Sequence, residues 1–191
     1  SLNTSRRLGS YSSTGANSNG GAFHAGGLLS TGAQAITETW NGTSWTEEGD
    51  LSTARYHNGA AGSSTAGLVT MGADPSGTNV TEEFAGALTL DIGAWSSGGT
   101  MNTARKTLGQ AGTQTSALAF GGITTPPFGI LAKNEEWNGS AWTEVADLNT
   151  GRYAFGGAGA NAEAALGFGG NTPSISGVTE SWNGSSWTEV A

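Results

Sequence analysis

Apolar residues along the chain fall in short runs of strand length, separated by glycine, asparagine, serine and threonine. Four of these runs end in Gly-Gly or Gly-Ala and span 21–27, 67–73, 117–122 and 165–170. Alternation and clustering over a few residues are typical of β-strands, and no segment shows the sustained 3.6-residue period of an amphipathic helix. After each run comes a segment of variable sequence and then a second, strongly polar pattern. The chain is therefore predicted to be all-β.

The clearest internal repeat carries two tryptophans. Trp-Asn-Gly-Thr-Ser-Trp-Thr-Glu at 40–47 returns with small changes at 137–144 and 182–189, and a degenerate copy spans 84–95. Asn-Gly between two strand-like segments favours a tight hairpin turn. Each copy therefore predicts two strands joined by a hairpin.

A second repeated block ends in arginine and marks where each unit begins. It starts at Leu2, Leu51, Met101 and Leu148, so successive starts are 49, 50 and 47 residues apart. We divide the chain into four units of a single domain, at 1–50, 51–100, 101–147 and 148–191. Each unit is expected to contain four short strands.

A four-stranded unit cannot bury both of its faces alone, so neighbouring units must stack on one another. Radial stacking gives a β-propeller, which normally has 4–8 blades. The small residues of the apolar runs fit the crowded centre, and the tryptophans fill the wider rim. A linear β-solenoid is the alternative, but its repeats are usually shorter. We therefore predict a β-propeller of four four-stranded blades.

These features resemble the kelch repeat family over nearly the whole chain. The resemblance rests on the arginine that opens each unit, the run ending in Gly121-Gly122, and the later aromatic pair Trp137 and Trp142. It implies a propeller with one blade per repeat. The chain departs from the family in having tryptophan where tyrosine is usual, and in having fewer units. The Trp-Asn-Gly-x-Ser-Trp-Thr-Glu variant is also similar to kelch-type proteins of marine bacteriophages, which implies a virion protein.

One arginine and one glutamate recur in every unit. They are Arg6, Arg55, Arg105 and Arg152, with Glu38, Glu82, Glu135 and Glu180. A ring of such pairs would suit a binding or acid–base site. A functional site is normally unique, however, whereas a structural clamp recurs with the repeat. We interpret them as buried ion pairs that lock a blade or join it to the next.

Charge and composition remove several function classes. The 191 residues include 7 Lys and Arg against 15 Asp and Glu, a net charge of −8. A nucleic-acid partner needs a basic stripe, so none is expected, and no apolar run is long enough for membrane insertion. The chain has no cysteine. Disulfides and thiolate metal sites are therefore excluded, as is the cysteine–tyrosine cofactor of the copper oxidases that share kelch-type propellers.

Candidates for catalysis are few. His24 and His57 occupy different repeat positions, and neither belongs to a metal-binding spacing. Adjacent carboxylates such as Glu82 and Glu83 point to opposite faces of a strand, which does not suit an acid–base dyad. No Gly-x-Ser-x-Gly motif or phosphate-binding loop is present. We expect a protein that is not an enzyme and has no cofactor.

One segment, Asp-Pro-Ser-Gly-Thr-Asn at 74–79, offers oxygen ligands of the kind that Ca²⁺ prefers. The same residue types are also the commonest turn formers. We favour the turn, and so predict no metal site.

Function is expected in the segments that interrupt the repeat. The segments at 28–36, 74–80, 123–134 and 171–178 differ in every unit. On a propeller they would gather on one face, where recognition loops lie. The candidate binding residues there are Asp74, Asn79, Pro127, Phe128 and Asn171. The second unit also has a longer apolar tip at 85–94, for which contact with a partner and folding back onto the blade are equal alternatives.

These observations predict a structural or binding propeller in a virion or outside the cell. It would decorate a capsid or form part of a tail fibre or adhesin. Its partners would be other virion or surface proteins, host-surface glycans, or a second copy in a homo-oligomer. The alternative is a secreted lectin-like domain that binds sugars through loop aromatics and Asp or Asn side chains.

Overall fold

The computed structural model describes residues 2–13, 21–73, 77–86, 93–124, 126 and 128–190. Within these residues the chain forms eighteen β-strands and no helix. The strands are β1 Ser10–Ser13, β2 Ala22–Ala25, β3 Leu28–Leu29, β4 Gly32–Ala33, β5 Thr37–Trp40, β6 Trp45–Glu47, β7 Gly59–Gly62, β8 Ala66–Thr70, β9 Thr81–Ala85, β10 Ala94–Ser97, β11 Gly109–Gly112, β12 Ala117–Phe120, β13 Asn134–Trp137, β14 Trp142–Val145, β15 Gly156–Asn161, β16 Ala164–Phe168, β17 Thr179–Trp182 and β18 Trp187–Val190.

Each repeat forms one antiparallel four-stranded sheet. The strand orders are β1-β2-β5-β6, β7-β8-β9-β10, β11-β12-β13-β14 and β15-β16-β17-β18. We call these sheets blades one to four. Together they form a four-bladed β-propeller arrangement, which confirms the predicted fold. The short strands β3 and β4 pair separately within the first loop, at 28–36.

The tryptophan hairpin closes through a four-residue loop rather than through Asn-Gly alone. In blade three Trp137 pairs with Trp142 across residues 138–141. The Asn138 side-chain oxygen accepts the backbone N–H groups of Ser140 and Ala141, each at 3.0 Å. Gly139 has a φ of +94°, a conformation that glycine adopts without strain. Asparagine therefore acts here as a side-chain acceptor that organises the loop.

Hydrophobic cores lie between consecutive blades. Phe23 of blade one packs with Val69 of blade two, and Leu68 of blade two packs with Trp137 and Trp142 of blade three. Leu118 and Phe120 of blade three pack with Trp182 and Trp187 of blade four. The tryptophans lie on the two outer strands of each blade. In blades two to four they fill the space against the preceding blade. The repeat pattern predicted their place on the outer strands, but not which neighbour they meet.

A backbone ladder also joins the blades near their inner strands. Leu8, His57, Thr107 and Ala154 hold the same repeat position and have φ values between 52° and 59°. The N–H of His57 donates to the Leu8 carbonyl at 2.7 Å, Thr107 to His57 at 3.3 Å, and Ala154 to Thr107 at 2.8 Å. Positive φ is uncommon for residues other than glycine. All four residues with this conformation take part in the hydrogen bonds that join the blades.

Candidate functional site

The repeated arginines and glutamates lie together inside the blades. The nitrogen–oxygen distances are 2.5 Å for Arg6–Glu38, 3.0 Å for Arg105–Glu135 and 2.7 Å for Arg152–Glu180, and Arg55 is in direct contact with Glu82. All eight side chains are at most 1% exposed. Each pair joins two residues of the same repeat. These charged groups are therefore almost completely withdrawn from the solvent.

Blade four shows what each pair holds together. The Arg152 guanidinium donates to the backbone oxygens of Gly169 at 3.1 Å and Val178 at 2.8 Å, and to the Glu180 carboxylate at 2.7 Å. The second carboxylate oxygen accepts the Asn149 backbone N–H at 2.8 Å and its side-chain amide at 2.9 Å. The pair therefore ties the end of one strand, the end of the loop and the start of the repeat into one unit.

Burial and charge act together on the pKa values of these groups. Burial alone would raise the pKa of Glu38, but hydrogen bonds from the Arg6 guanidinium and from the Asn3 and Thr4 N–H groups outweigh it, so the pKa is lowered. Burial lowers the pKa of Arg55 to about 10, which leaves it protonated at neutral pH. Both groups are therefore charged at pH 7.

The two histidines are held in their neutral form at pH 7. Burial, together with the Arg6 charge, lowers the pKa of His24 to about 4 from its usual 6.5, against an opposing effect of Glu38. Burial and Lys106 also lower the pKa of His57. The two rings belong to different blades, His24 to β2 and His57 to the segment before β7.

The lowered pKa of His24 predicts a pH-dependent stability. Between pH 6.5 and about 4 the unfolded chain takes up a proton that the folded chain does not. The free energy of unfolding should therefore fall on acidification through this window, by up to about 1.4 kcal/mol per pH unit. Urea unfolding at a series of pH values measures this slope. His24→Val, the residue at the equivalent position of blade two, should flatten it. An unchanged slope would contradict the prediction.

The variable segments gather at one edge of the blades, as the propeller predicts. In every repeat the residue directly after the repeated arginine forms a backbone bridge to the first residue of the variable segment, or to the residue just before it. The bridges are Arg7–Leu28, Tyr56–Ala73, Lys106–Ile123 and Tyr153–Asn171. We call this surface the loop face and define it by Arg7, Tyr56, Lys106 and Tyr153, with Phe128 and Ile175 from the loops.

The predicted binding residues take different places around this face. The Phe128 side chain is 65% exposed, and the Lys106 ammonium lies 5.8 Å from its ring centroid. Asn79 is half-buried, and its side-chain amide donates to the Met101 carbonyl at 3.0 Å, which ties the second loop to the start of blade three. Asn171 is half-buried and bridged through its backbone to Tyr153 and Ile175. Asp74 and Pro127 lie outside the described residues.

Sequence reasoning missed the residues that follow each arginine. Arg7 is exposed, and Tyr56, Lys106 and Tyr153 are half-buried. A sign was present, since every repeat has a large basic or aromatic residue at this position. Ile175, which is 92% exposed, was also missed. The loop face therefore combines aromatic, apolar and basic side chains.

Charge is divided unevenly between this face and the rest of the molecule. Asp74 is the one acidic residue within the four variable segments. Four arginines are paired inside the blades, and Lys133, at the end of the third variable segment, pairs with Glu144 of the outer strand β14. Among the described residues, Arg7 and Lys106 are the cations without a salt bridge, and both lie on the loop face. This face is thus the least acidic part of a strongly acidic protein.

Other kinds of site have little support in the described part of the chain. There, no three His, Asp or Glu side chains are grouped so as to hold a metal ion. Nor does that part contain a helix that could cross a membrane. The tip of the second unit lies mostly outside the described residues, at 87–92.

No protein-family model matches the chain, and no curated protein does. The function of the chain must therefore be inferred from its fold and its loop face.

Proposed function

We propose that this chain is a non-enzymatic binding module that contacts another protein through its loop face. A β-propeller suggests a binding or protein-interaction module, because it holds variable loops together on a rigid frame. The observation that carries the proposal is the charge division. The free cations and the most exposed loop apolar side chains, Phe128 and Ile175, share a face that is nearly without acids. Aromatic residues and arginine are enriched in contact surfaces, and this face carries Phe128, Tyr56, Tyr153 and Arg7.

The setting that we propose is a virion or another extracellular surface. The similarity of the tryptophan octapeptide to kelch-type repeats of marine bacteriophages supports a virion. A net charge of −8 supports a surface that stays dispersed in water. On a particle the loop face would contact a neighbouring coat or fibre protein, and the acidic outer strands would face the solvent.

The two lysines of this chain provide a direct test. Lys106 is on the loop face, and Lys133 stands at the end of the third variable segment, directly before β13, where it pairs with Glu144 of β14. An amine-acylating reagent should modify both lysines in the isolated chain. In purified virus particles that carry the chain, Lys106 should be protected several-fold while Lys133 stays reactive. Equal reactivity of Lys106 in both states would overturn the loop-face contact. Particles without the chain would overturn the virion setting.

The exposed Phe128 ring favours a second candidate, a lectin-like function, because sugar rings stack on exposed aromatic side chains. A glycan array tests it with the isolated chain. Saturable binding of a small saccharide that is lost in Phe128→Ala, and kept in Lys133→Ala, would establish the lectin. An array without saturable binding supports the protein-binding module.

A further inference from the structure

Every blade has two different faces. The forward face packs against the next blade in the chain; in blade three it carries Leu118 and Phe120. The rear face packs against the preceding blade; in blade three it carries Trp137 and Trp142. Three forward faces meet three rear faces within the chain. The forward face of blade four and the rear face of blade one are the remaining pair.

The forward face of blade four is apolar and open. Leu166 and Phe168 are 41% and 44% exposed, whereas Leu118 and Phe120, at the same positions of blade three, are fully buried. Val190 is 39% exposed and lies on the same face, since Phe168 pairs with Thr179 and Thr179 with Val190. Among the residues that the structure describes, six large apolar side chains are exposed, and three of them therefore share this sheet face. Such a patch marks an interaction surface.

The rear face of blade one is also uncovered, like the forward face of blade four. Trp40 and Trp45 are only half-buried. In the other two intact copies of the octapeptide, by contrast, all four tryptophans are at most 7% exposed. The tryptophans of blade one thus lack the cover that a preceding blade gives elsewhere.

The hydrogen bonds between blades identify what this face would meet. The Trp95 indole donates to the Thr37 hydroxyl of blade one at 2.9 Å, and the Trp142 indole to the Thr81 hydroxyl of blade two at 2.9 Å. Blade four has a threonine, Thr179, at this same position, and it is half-buried. Blade three has Asn134 instead of threonine here, and the Trp187 indole that faces it makes no hydrogen bond. Trp45 holds the same position in blade one and is the indole that would face Thr179.

The inner backbone ladder ends in the same way. It runs from Leu8 through His57 and Thr107 to Ala154. In the described part of the chain no backbone hydrogen bond joins Leu8 to Ala154. The Leu8 N–H therefore remains as a donor at one end of the ladder, and the Ala154 carbonyl remains as an acceptor at the other end.

We propose that two copies of this chain join head to tail, so that blade four of each packs on blade one of the other. Each joint would repeat the interface that already occurs three times within the chain. Leu166 and Phe168 would pack under Trp40 and Trp45 of the second copy, and the Trp45 indole would donate to the Thr179 hydroxyl. A heterologous contact closes when its rotation permits. Two copies then form one ring of eight blades, within the range of known propellers.

Mass measurement by light scattering tests this proposal. The isolated chain should have twice the 19.1 kDa mass of one copy at micromolar concentration. Leu166→Asp on the forward face and Trp45→Asp on the rear face should each be monomeric. Ile175→Asp is the matched control, because it places the same charge on an exposed apolar residue of blade four outside this face, and it should stay dimeric.

Mixing the two monomeric variants separates a lost contact from a lost fold. Leu166→Asp keeps an intact blade one, and Trp45→Asp keeps an intact blade four. One joint can therefore form, and the mixture should contain a species of twice the single mass. A wild-type chain that stays monomeric throughout, a mixture that stays monomeric, or an assembly that grows beyond two copies would each overturn the two-chain ring.

Discussion

Replacing Arg105 with alanine is expected to lower the free energy of unfolding by about 3–5 kcal/mol. The Arg105 guanidinium is fully buried and lies 3.0 Å from the Glu135 carboxylate, which is 1% exposed. Removing the arginine would leave a negative charge in the interior without its partner. Urea unfolding followed by tryptophan fluorescence measures the loss. The proper comparison is Lys133→Ala, since Lys133 and Glu144 form an exposed ion pair whose loss should cost less than about 1 kcal/mol.

A double substitution sharpens this expectation. Arg105→Met combined with Glu135→Leu removes both charges and keeps apolar volume in their place. Replacing a whole buried pair is far less costly than breaking it, so the double variant should be more stable than Arg105→Ala. If Arg105→Ala lowers the free energy of unfolding no more than Lys133→Ala does, the buried ion pair does not stabilise the blade as its geometry indicates.

Phe120→Ala is expected to destabilise the chain by about 3–5 kcal/mol, and Phe168→Ala by about 1 kcal/mol or less. The two residues hold the same position in consecutive repeats. Phe120 is fully buried between blades three and four and lies 4.8 Å from the Trp187 ring, whereas Phe168 is 44% exposed. Thermal unfolding at a dilution where the chain is monomeric compares them directly. Equal losses would show that blade four is covered within a single chain.

The fold could be predicted because the same sequence pattern recurs in all four units. A single Asn-Gly hairpin or apolar run is weak evidence for any one fold. Their recurrence at nearly constant spacing indicated a repeated structural unit that stacks on its neighbours. The position of the tryptophans on the outer strands followed from their size, whereas the neighbouring blade that they pack against could not be predicted. The four-residue loop that Asn138 organises could not be predicted, because it depends on which side-chain oxygen meets which backbone N–H group.

The candidate site was harder to predict than the fold. Loops were expected to carry the binding residues, and Phe128 does lie exposed on the loop face. Asn79, chosen for its polar side chain, donates to the Met101 carbonyl and so serves the next repeat. Arg7 and Lys106 were not predicted as binding residues, although the predicted ion pairs already left them without a partner. Their place beside the loops follows from the backbone bridges Arg7–Leu28 and Lys106–Ile123, which the sequence does not show.

Both members of each buried ion pair come from one repeat, and so does the segment that their carboxylate holds. A duplicated or deleted repeat would include both members of its buried ion pair and would leave no unpaired buried charge in the neighbouring repeats. Gene segments encoding such units can therefore be copied or lost with little penalty to the units that remain. The buried ion pairs therefore set no limit on how many repeats a chain of this kind can contain.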